Sequence, residues 1–210
     1  MATTTSANAA RGSDAPGEAP PASHTPAATA STFTRMDESN AEQWGVIATA
    51  TIENEPRVAE RILEMLRALA GITDGFAVDQ LTHSLQTATL AERSGADDEI
   101  VVASLCHDIG KFVSVANHPR IAAEMIRPYV REEVRWMIEV HQDFQGKHYY
   151  HHLGGDPEAR DKYRDHESFE LAQHFADDWD QLAFDPSYDT LPLEHFEGRV
   201  RDVFKNGRIV

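Results

Sequence analysis

Residues 100–111 constrain the fold most, because an almost wholly apolar run ends there in a histidine followed by an aspartate. Residues 100–106 are typical of a buried helix, His107 and Asp108 follow at its C-terminal end, and Gly110 just beyond can adopt a positive φ. His83 precedes His107 by 24 residues, enough for one helix, a short turn and a second helix that folds back antiparallel. Such a hairpin brings two imidazoles and a carboxylate together inside the protein, where unpaired polar groups are costly. We expect a functional site there.

The other apolar residues recur at intervals of three and four, the spacing of a helix face, and no stretch alternates as strands do. Asp79 and Asp97 can cap helix N-termini, and Pro119 suits a first helical turn. The chain is therefore predicted to be all-α. We expect a helix pair between residues 39 and 71, with Trp44, Ile47 and Ala48 in a buried stripe, then helices at about 80–93, 97–106, 119–126, 130–140, 167–183 and 193–204.

The composition limits the partners that the chain can bind. A net charge of −16 at pH 7 would repel a polyphosphate backbone, so nucleic acid is not expected. No stretch approaches the ~18 consecutive apolar residues of a membrane-spanning helix. A single cysteine, Cys106, excludes an intrachain disulfide and fits a reducing compartment. We expect a cytoplasmic protein that binds a small molecule and neither nucleic acid nor a membrane.

The first 36 residues differ in character from the rest of the chain. Residues 1–36 are mostly Ala, Thr, Ser, Pro and Gly without a periodic apolar face, so they are expected to form a disordered tail. They also lack the continuous apolar segment of a secretory signal. One domain remains at residues 37–210, which is long enough for a sizeable core.

Six side chains in this domain have the chemistry of metal ligands. On a helical wheel of residues 167–183, Asp180 falls at the margin of the apolar stripe, whereas Asp177 and Asp178 point further away. Asp180 is therefore the first candidate for a metal ligand among the three aspartates, and Asp177 is the second. Each residue alone also fits an ordinary role, such as a hydrogen-bonded core histidine or a buried ion pair. Nitrogen and oxygen donors suit iron, manganese or similar divalent ions. Two ions bridged by Asp108 would use His83, His107, Asp108 and Asp180 at one position and Asp108, His118 and His141 at the other.

Residues 143–166 are polar and irregular and predict a loop of ~20 residues, a length that in compact domains is usually functional or disordered. The density of tyrosine and histidine favours function. Gln86 shares a helix face with His83 and can line the same pocket. Besides Gln86, the side chains expected to bind substrate are Lys147, His148, Tyr149 and Arg164.

The pattern His83…His107-Asp108…Asp180 resembles that of the HD-domain superfamily of helical metalloenzymes, over about residues 40–205. The resemblance implies about five core helices around a mono- or dinuclear metal centre. Most members are phosphohydrolases, in which the metals bind phosphate and generate hydroxide. A smaller branch, which includes inositol oxygenase and the phosphonate-cleaving oxygenases, uses a mixed-valent di-iron centre. That centre binds a substrate hydroxyl, activates O₂ and breaks a C–C or C–P bond.

Two features favour the oxygenase branch. Residues 83–88, His-Ser-Leu-Gln-Thr-Ala, resemble its His-x-x-Gln-Thr-Ala helix, and His118 and His141 match its second-iron ligands. Lys111 matches a lysine that contacts substrate and bound oxygen in inositol oxygenase, although phosphohydrolases often carry a lysine there too. The resemblance thus implies two iron ions, O₂ as co-substrate, and Lys111 and Asp108 as catalytic residues in the oxidative cleavage of a small hydroxylated molecule. The alternative is a metal-dependent phosphohydrolase of a small phosphoester or nucleotide.

Overall fold

The computed structural model describes residues 32–54, 57–205 and 207, and none of them forms a strand. This confirms the predicted all-α fold. The chain divides into two compact units, Met1–Ile47 and Ala48–Val210, and each is described by itself. The α-helices of the described residues are α1 (Ala41–Asn54), α2 (Val58–Ala68), α3 (Gln80–Arg93), α4 (Asp98–Cys106), α5 (His118–Ile126), α6 (Glu132–Tyr149), α7 (Phe169–His174) and α8 (Leu193–Val203).

The predicted tail at residues 1–36 falls largely outside the described part of the chain, which begins at residue 32. A short 3-10 turn follows at Met36–Glu38. Across the described residues, no helix combines the length and the apolar character that crossing a bilayer requires.

Helix α1 begins with a reciprocal pair of hydrogen bonds. The backbone N–H of Gln43 donates to Asn40 Oδ1 over 3.1 Å, and the backbone N–H of Asn40 donates to Gln43 Oε1 over 3.0 Å, so both orphan donors are satisfied. No residue of α1 is buried, and the prediction that Trp44, Ile47 and Ala48 belong to a buried stripe is wrong. Apolar residues at helical spacing predict a helix, but they do not specify what covers its face.

The second unit is organised around the antiparallel hairpin of α3 and α4. Asp79 caps α3 by accepting from the backbone N–H of Thr82 over 2.8 Å, and Asp97 caps α4 by accepting from that of Ile100 over 3.1 Å, as predicted. Helix α4 packs against α3, α6 and α8, so residues 100–106 are buried on every side. Because α5 and α7 pack in turn against α6, the C-terminal end of α4 lies in the interior of the unit.

Helix α6 is longer than the sequence pattern indicated. It runs to Tyr149, so the prediction of a loop beginning at residue 143 is wrong for residues 143–149. Polar residues such as Gln and Lys are good helix formers, and Phe144 continues the buried stripe of Met137 and His141 at helical spacing. The chain then passes through 3-10 turns at Tyr150–Leu153 and Ala159–Tyr163.

The predicted helix at residues 167–183 is not one regular helix. Helix α7 continues into a π-helical turn at Phe175–Trp179 and a 3-10 turn at Asp180–Leu182. A π-turn shifts the helix face by one extra residue per turn and is frequent at functional sites. Here Asp180 is fully buried, whereas the side chains of Asp177 and Asp178 are 24% and 59% exposed.

Candidate metal centre

The six predicted ligands come together in the core of the second unit, and each is at most 4% exposed. The nearest ligand atoms of His83, His107 and Asp180 lie within 4.8 Å of one another, and so do those of His107, Asp108 and His141. They are contributed by five different stretches of the chain. His83 lies in α3, His107 and Asp108 follow α4, His118 begins α5, His141 lies in α6 and Asp180 follows the π-turn.

Gly110 allows the start of α5 to approach the His-Asp pair. A Cβ atom at Gly110 would lie 2.8 Å from the Cα atom of His118 and closer still to its carbonyl oxygen, so no larger residue fits. The expected reason for this glycine was a positive φ, and that is wrong, because Gly110 is not among the described residues that have one. The close approach brings His118 Nε2 to 3.0 Å from Asp108 Oδ1.

All four imidazoles are oriented in the same way, through a hydrogen bond from Nδ1 to a main-chain carbonyl. A carbonyl oxygen only accepts hydrogen bonds, so Nδ1 carries the proton and, in the neutral ring, Nε2 carries a lone pair. Such bonds commonly fix the ring of a metal-binding histidine. The pairs are His83 with Ala183 at 2.9 Å, His107 with Ser104 at 2.8 Å, His118 with Val115 at 2.7 Å and His141 with Ile138 at 2.7 Å.

These lone pairs face one another. The Nε2 atoms of His83 and His107 are 3.0 Å apart, and those of His118 and His141 are 3.3 Å apart. Asp108 Oδ1 is buried without a hydrogen-bond donor, as is Oδ2 of Asp180. Acceptors that converge in a buried space need a cation between them. The donor set of imidazole nitrogens and carboxylate oxygens fits divalent metal ions, and Asp108 lies where it can contact two of them.

The two carboxylates of the centre favour a proton on one of its imidazoles. Burial opposes the charged ring of His107, but the Asp108 and Asp180 carboxylates raise its pKa to about 10. Burial likewise opposes ionisation of Asp108, and the surrounding imidazoles, His107 first, hold the pKa of its carboxyl well below the ordinary value. Burial lowers the pKa of His141, so that ring favours its neutral, metal-binding form. A metal ion must therefore displace a proton from this site.

Lys111 and Gln145 hold the two carboxylates in place, and Gln80 holds Lys111. Lys111 Nζ donates to Asp108 Oδ2 over 2.6 Å and to Gln80 Oε1 over 3.1 Å. Gln145 Nε2 donates to Asp180 Oδ1 over 2.9 Å. Gln80 and Gln145 were not among the predicted site residues. Their spacing was a usable signal, since Gln80 lies three residues before His83 and Gln145 four after His141 on the same helix faces.

A cavity of about 630 Å³ lies beside the centre, with Lys111 and His118 in its wall. Its size suits a small molecule. Two of the residues expected to bind substrate, His148 and Tyr149, line it. The remaining lining residues are Asp74, Phe76, Val115, Gln142, Gln145, Gln181 and Phe184.

Gln86 lies in the core near this cavity but does not line it. Its side-chain amide donates to the carbonyl of Asp185 over 2.7 Å and accepts from the backbone N–H of Asp185 over 3.2 Å, so both polar atoms are satisfied within the protein. This pair fixes the segment that includes Ala183, whose carbonyl orients His83, and Phe184, whose ring stacks on His83 with centroids 4.2 Å apart. Gln86 therefore helps to hold the segment that orients the candidate ligand His83.

The structure also does not bring the predicted residues Lys147 and Arg164 to the cavity. Lys147 is exposed on α6, and Arg164 is exposed and pairs with Asp161 over 2.8 Å. Because the chain is helical through residue 149, Lys147 points away from the face that carries His141 and His148. Arg160 is the buried arginine of this region instead, and nothing in its local sequence distinguished it from Arg164.

The HD domain family model matches residues 81–185, which is half of the chain and contains all six candidate ligands. The chain therefore belongs to the HD domain family, a family of metal-dependent enzymes. Among curated proteins, a 40-residue stretch is 50% identical to the 1-hydroxy-2-(trimethylamino)ethylphosphonate dioxygenase (glycine-betaine-forming) of Leisingera caerulea. This match covers 19% of the chain and only a fifth, 20%, of the length of that dioxygenase.

Proposed function

We propose that this protein is a di-iron oxygenase that oxidatively cleaves a small hydroxylated substrate with O₂. The observation that carries the proposal is the convergence of four imidazole Nε2 atoms and two carboxylates on two adjacent positions, with Asp108 between them. Such a donor set suits iron, with manganese or another divalent metal as the alternative. When bound, the two ions would supply Lewis acidity towards a substrate hydroxyl and the electrons that activate O₂.

Lys111 is the residue that we assign to charge stabilisation. Its side chain is 13% exposed and lines the cavity, and its ammonium is held by Asp108 and Gln80. A fixed ammonium at this position stabilises negative charge on the substrate oxygen once the hydroxyl has given up its proton. Asp108 has a double task, because it keeps the two metal positions adjacent and orients Lys111.

Aromatic rings and amides form the rest of the substrate cavity. The rings of Phe76 and Phe184 stack with centroids 4.9 Å apart, and Tyr149 contributes a third ring to the lining. These faces exclude water and can contact an organic cation. The Leisingera relative is named for a substrate that carries a hydroxyl and a trimethylamino group, so that compound is the first to test.

Phosphohydrolysis is the competing function within the HD domain family. Among the described residues that line the cavity, Lys111 is the sole Lys or Arg, and its ammonium is already bonded to Asp108. Sites that recognise phosphate commonly add arginine side chains, whose planar fork binds two oxygens at once. This composition weighs against a phosphate recognised by side chains, but it weighs equally against a phosphonate, so an assay of both activities must separate the two functions.

The two functions predict opposite results in a paired assay. Iron-loaded protein should consume O₂ with at least one member of a panel containing 1-hydroxy-2-(trimethylamino)ethylphosphonate, choline and myo-inositol. Lys111→Ala should lower that rate by about 10²-fold, the usual effect of removing one charge-stabilising donor. Lys147→Ala, which removes an exposed lysine outside the cavity, should not. Hydrolysis of p-nitrophenyl phosphate by manganese-loaded protein, without O₂ uptake by the iron form, would overturn the proposal.

A further inference from the structure

A second polar cluster lies at the wall of the cavity, outside the six candidate ligands. His148 Nε2 donates to Asp177 Oδ1 over 2.9 Å, and Arg160 Nη1 donates to the same oxygen over 2.9 Å. Arg160 is 4% exposed, and its guanidinium carbon lies 5.9 Å from the centroid of the Phe144 ring. The cluster thus has a buried cation, a partly buried carboxylate and an imidazole that reaches the cavity.

The carboxylate determines which nitrogen of His148 is protonated. An ionised carboxylate only accepts hydrogen bonds, so Nε2 carries the proton and Nδ1 carries the lone pair of the neutral ring. Burial opposes ionisation of Asp177, but Arg160 and His148 together lower its pKa, so it stays ionised at neutral pH. No described residue donates a hydrogen bond to His148 Nδ1. His148 lines the cavity and its side chain is 33% exposed, so Nδ1 can accept a hydrogen bond from a bound molecule or from solvent.

The position of His148 follows from the face of α6 that the metal centre also uses. His141, Gln145 and His148 are related by i, i+4 and i+7, so they lie along one side of the helix. Gln145 bonds to Asp180 in the 3-10 turn, and His148 bonds to Asp177 in the preceding π-turn, so two hydrogen bonds join α6 to this segment. Seven residues of helix correspond to about 10 Å between His141 and His148. The acceptor thus lies at the end of the cavity remote from the metal centre.

We propose that His148 is the specificity residue for the distal end of the substrate, where its Nδ1 accepts a hydrogen bond from an ammonium or hydroxyl group. Asp177 and Arg160 are positioning residues, which fix the tautomer and the orientation of the ring. The inference rests on the proposed function only in that a substrate hydroxyl is held at the metal centre. The substrate then carries a second group, a hydrogen-bond donor, which is separated from that hydroxyl by several bonds.

The test uses zinc-loaded full-length protein with labelled histidine, so it requires neither iron nor O₂. Long-range ¹H–¹⁵N spectra report the protonated nitrogen of His148, and loss of a signal in His148→Phe assigns it. The probes are ethanolamine, 4-amino-1-butanol and 6-amino-1-hexanol, with 1-hexanol as the probe that lacks the distal donor. We expect the Nε2-protonated tautomer, an Nδ1 signal that shifts with the amino alcohols, and an affinity that depends on their length.

Two variants and a control separate recognition from a structural role. His148→Phe, which keeps a ring but has no acceptor nitrogen, should weaken binding of the best amino alcohol by about tenfold, the usual effect of losing one charge-assisted hydrogen bond, and should not weaken binding of 1-hexanol. Asp177→Asn should give a mixture of His148 tautomers. Asp178 follows Asp177 in the chain, and its carboxylate pairs with the exposed His174. The control variant Asp178→Asn should therefore behave as the unmodified protein.

An Nδ1-protonated His148 in the unmodified protein, equal amino alcohol binding by His148→Phe, or no binding of any amino alcohol would overturn the inference. None of these results bears on iron content or on O₂ uptake, which test the proposed function separately.

Discussion

Gly110→Ala tests how closely the fold brings His118 to the pair of His107 and Asp108. The added Cβ would lie 2.8 Å from the Cα atom of His118 and 2.9 Å from its carbonyl carbon. The carbonyl oxygen of His118 would lie closer still, and relieving that contact requires the backbone of His118 to move by about 1 Å. Overpacking of this kind costs about 1–3 kcal/mol of unfolding free energy. The same shift exceeds the tolerance of about 0.2 Å in metal–ligand distances, so the position served by His118 should lose its ion first.

Urea denaturation and metal analysis measure the two effects of Gly110→Ala in the same samples. We expect a lower unfolding free energy and a fall from two metal ions per chain towards one. Gly198→Ala is the control, because a Cβ there meets nothing within 4 Å and Gly198 lies inside α8, so this change should stabilise by about 0.5–1 kcal/mol. A Gly110→Ala protein that keeps full stability and both ions would refute the packing described for His118.

Three further predictions concern support, protonation and metal removal. Gln86→Leu removes both hydrogen bonds to Asp185, so it should lower the unfolding free energy by about 1–3 kcal/mol and weaken metal binding. The control Gln173→Leu changes an exposed residue and should do neither. Equal metal affinity in both variants would contradict the role of Gln86 in holding the segment that orients His83. Because the pKa of His107 is raised to about 10 and its proton competes with the metal, metal affinity measured by calorimetry should rise by about tenfold per pH unit up to that pH; a flat pH profile would contradict this. Chelation should lower the melting temperature by about 10 °C, and adding metal back should restore it, since ions bound only to the folded state stabilise that state. An unchanged melting temperature would show that the buried histidine cluster does not need a bound ion for stability.

The parts of the site that the sequence predicted are those determined locally. Asp79 and Asp97 are helix caps with a recognisable neighbour pattern, and the 24 residues from His83 to His107 have room for little besides a helical hairpin. Asp180 was selected from three aspartates by its angle relative to the apolar stripe, and it is the one that is fully buried. No sequence signal indicates the π-turn that precedes Asp180, yet the position of Asp180 at the margin of the apolar stripe distinguishes it from the other two aspartates.

The parts that sequence could not predict depend on long-range contacts. Gln86 shares a face with His83, but its amide is satisfied by Asp185, 99 residues away, which no helical wheel reveals. Arg164 and Arg160 have equivalent local sequences, and only the position of Asp177 on another element makes Arg160 the buried one. Likewise, the end of α6 was placed too early, because a run of polar residues without a helix breaker is compatible with both a helix and a loop.

Iron stoichiometry, combined with the spin state after partial oxidation, tests the central claim most directly. The claim is that His83, His107, Asp108, His118, His141 and Asp180 hold two adjacent iron ions for oxygen chemistry. Protein loaded with iron under anaerobic conditions and then partly oxidised is predicted to contain two ions per chain and to give the half-integer spin signal of a mixed-valent pair. One ion per chain, or two ions without magnetic coupling, would contradict it.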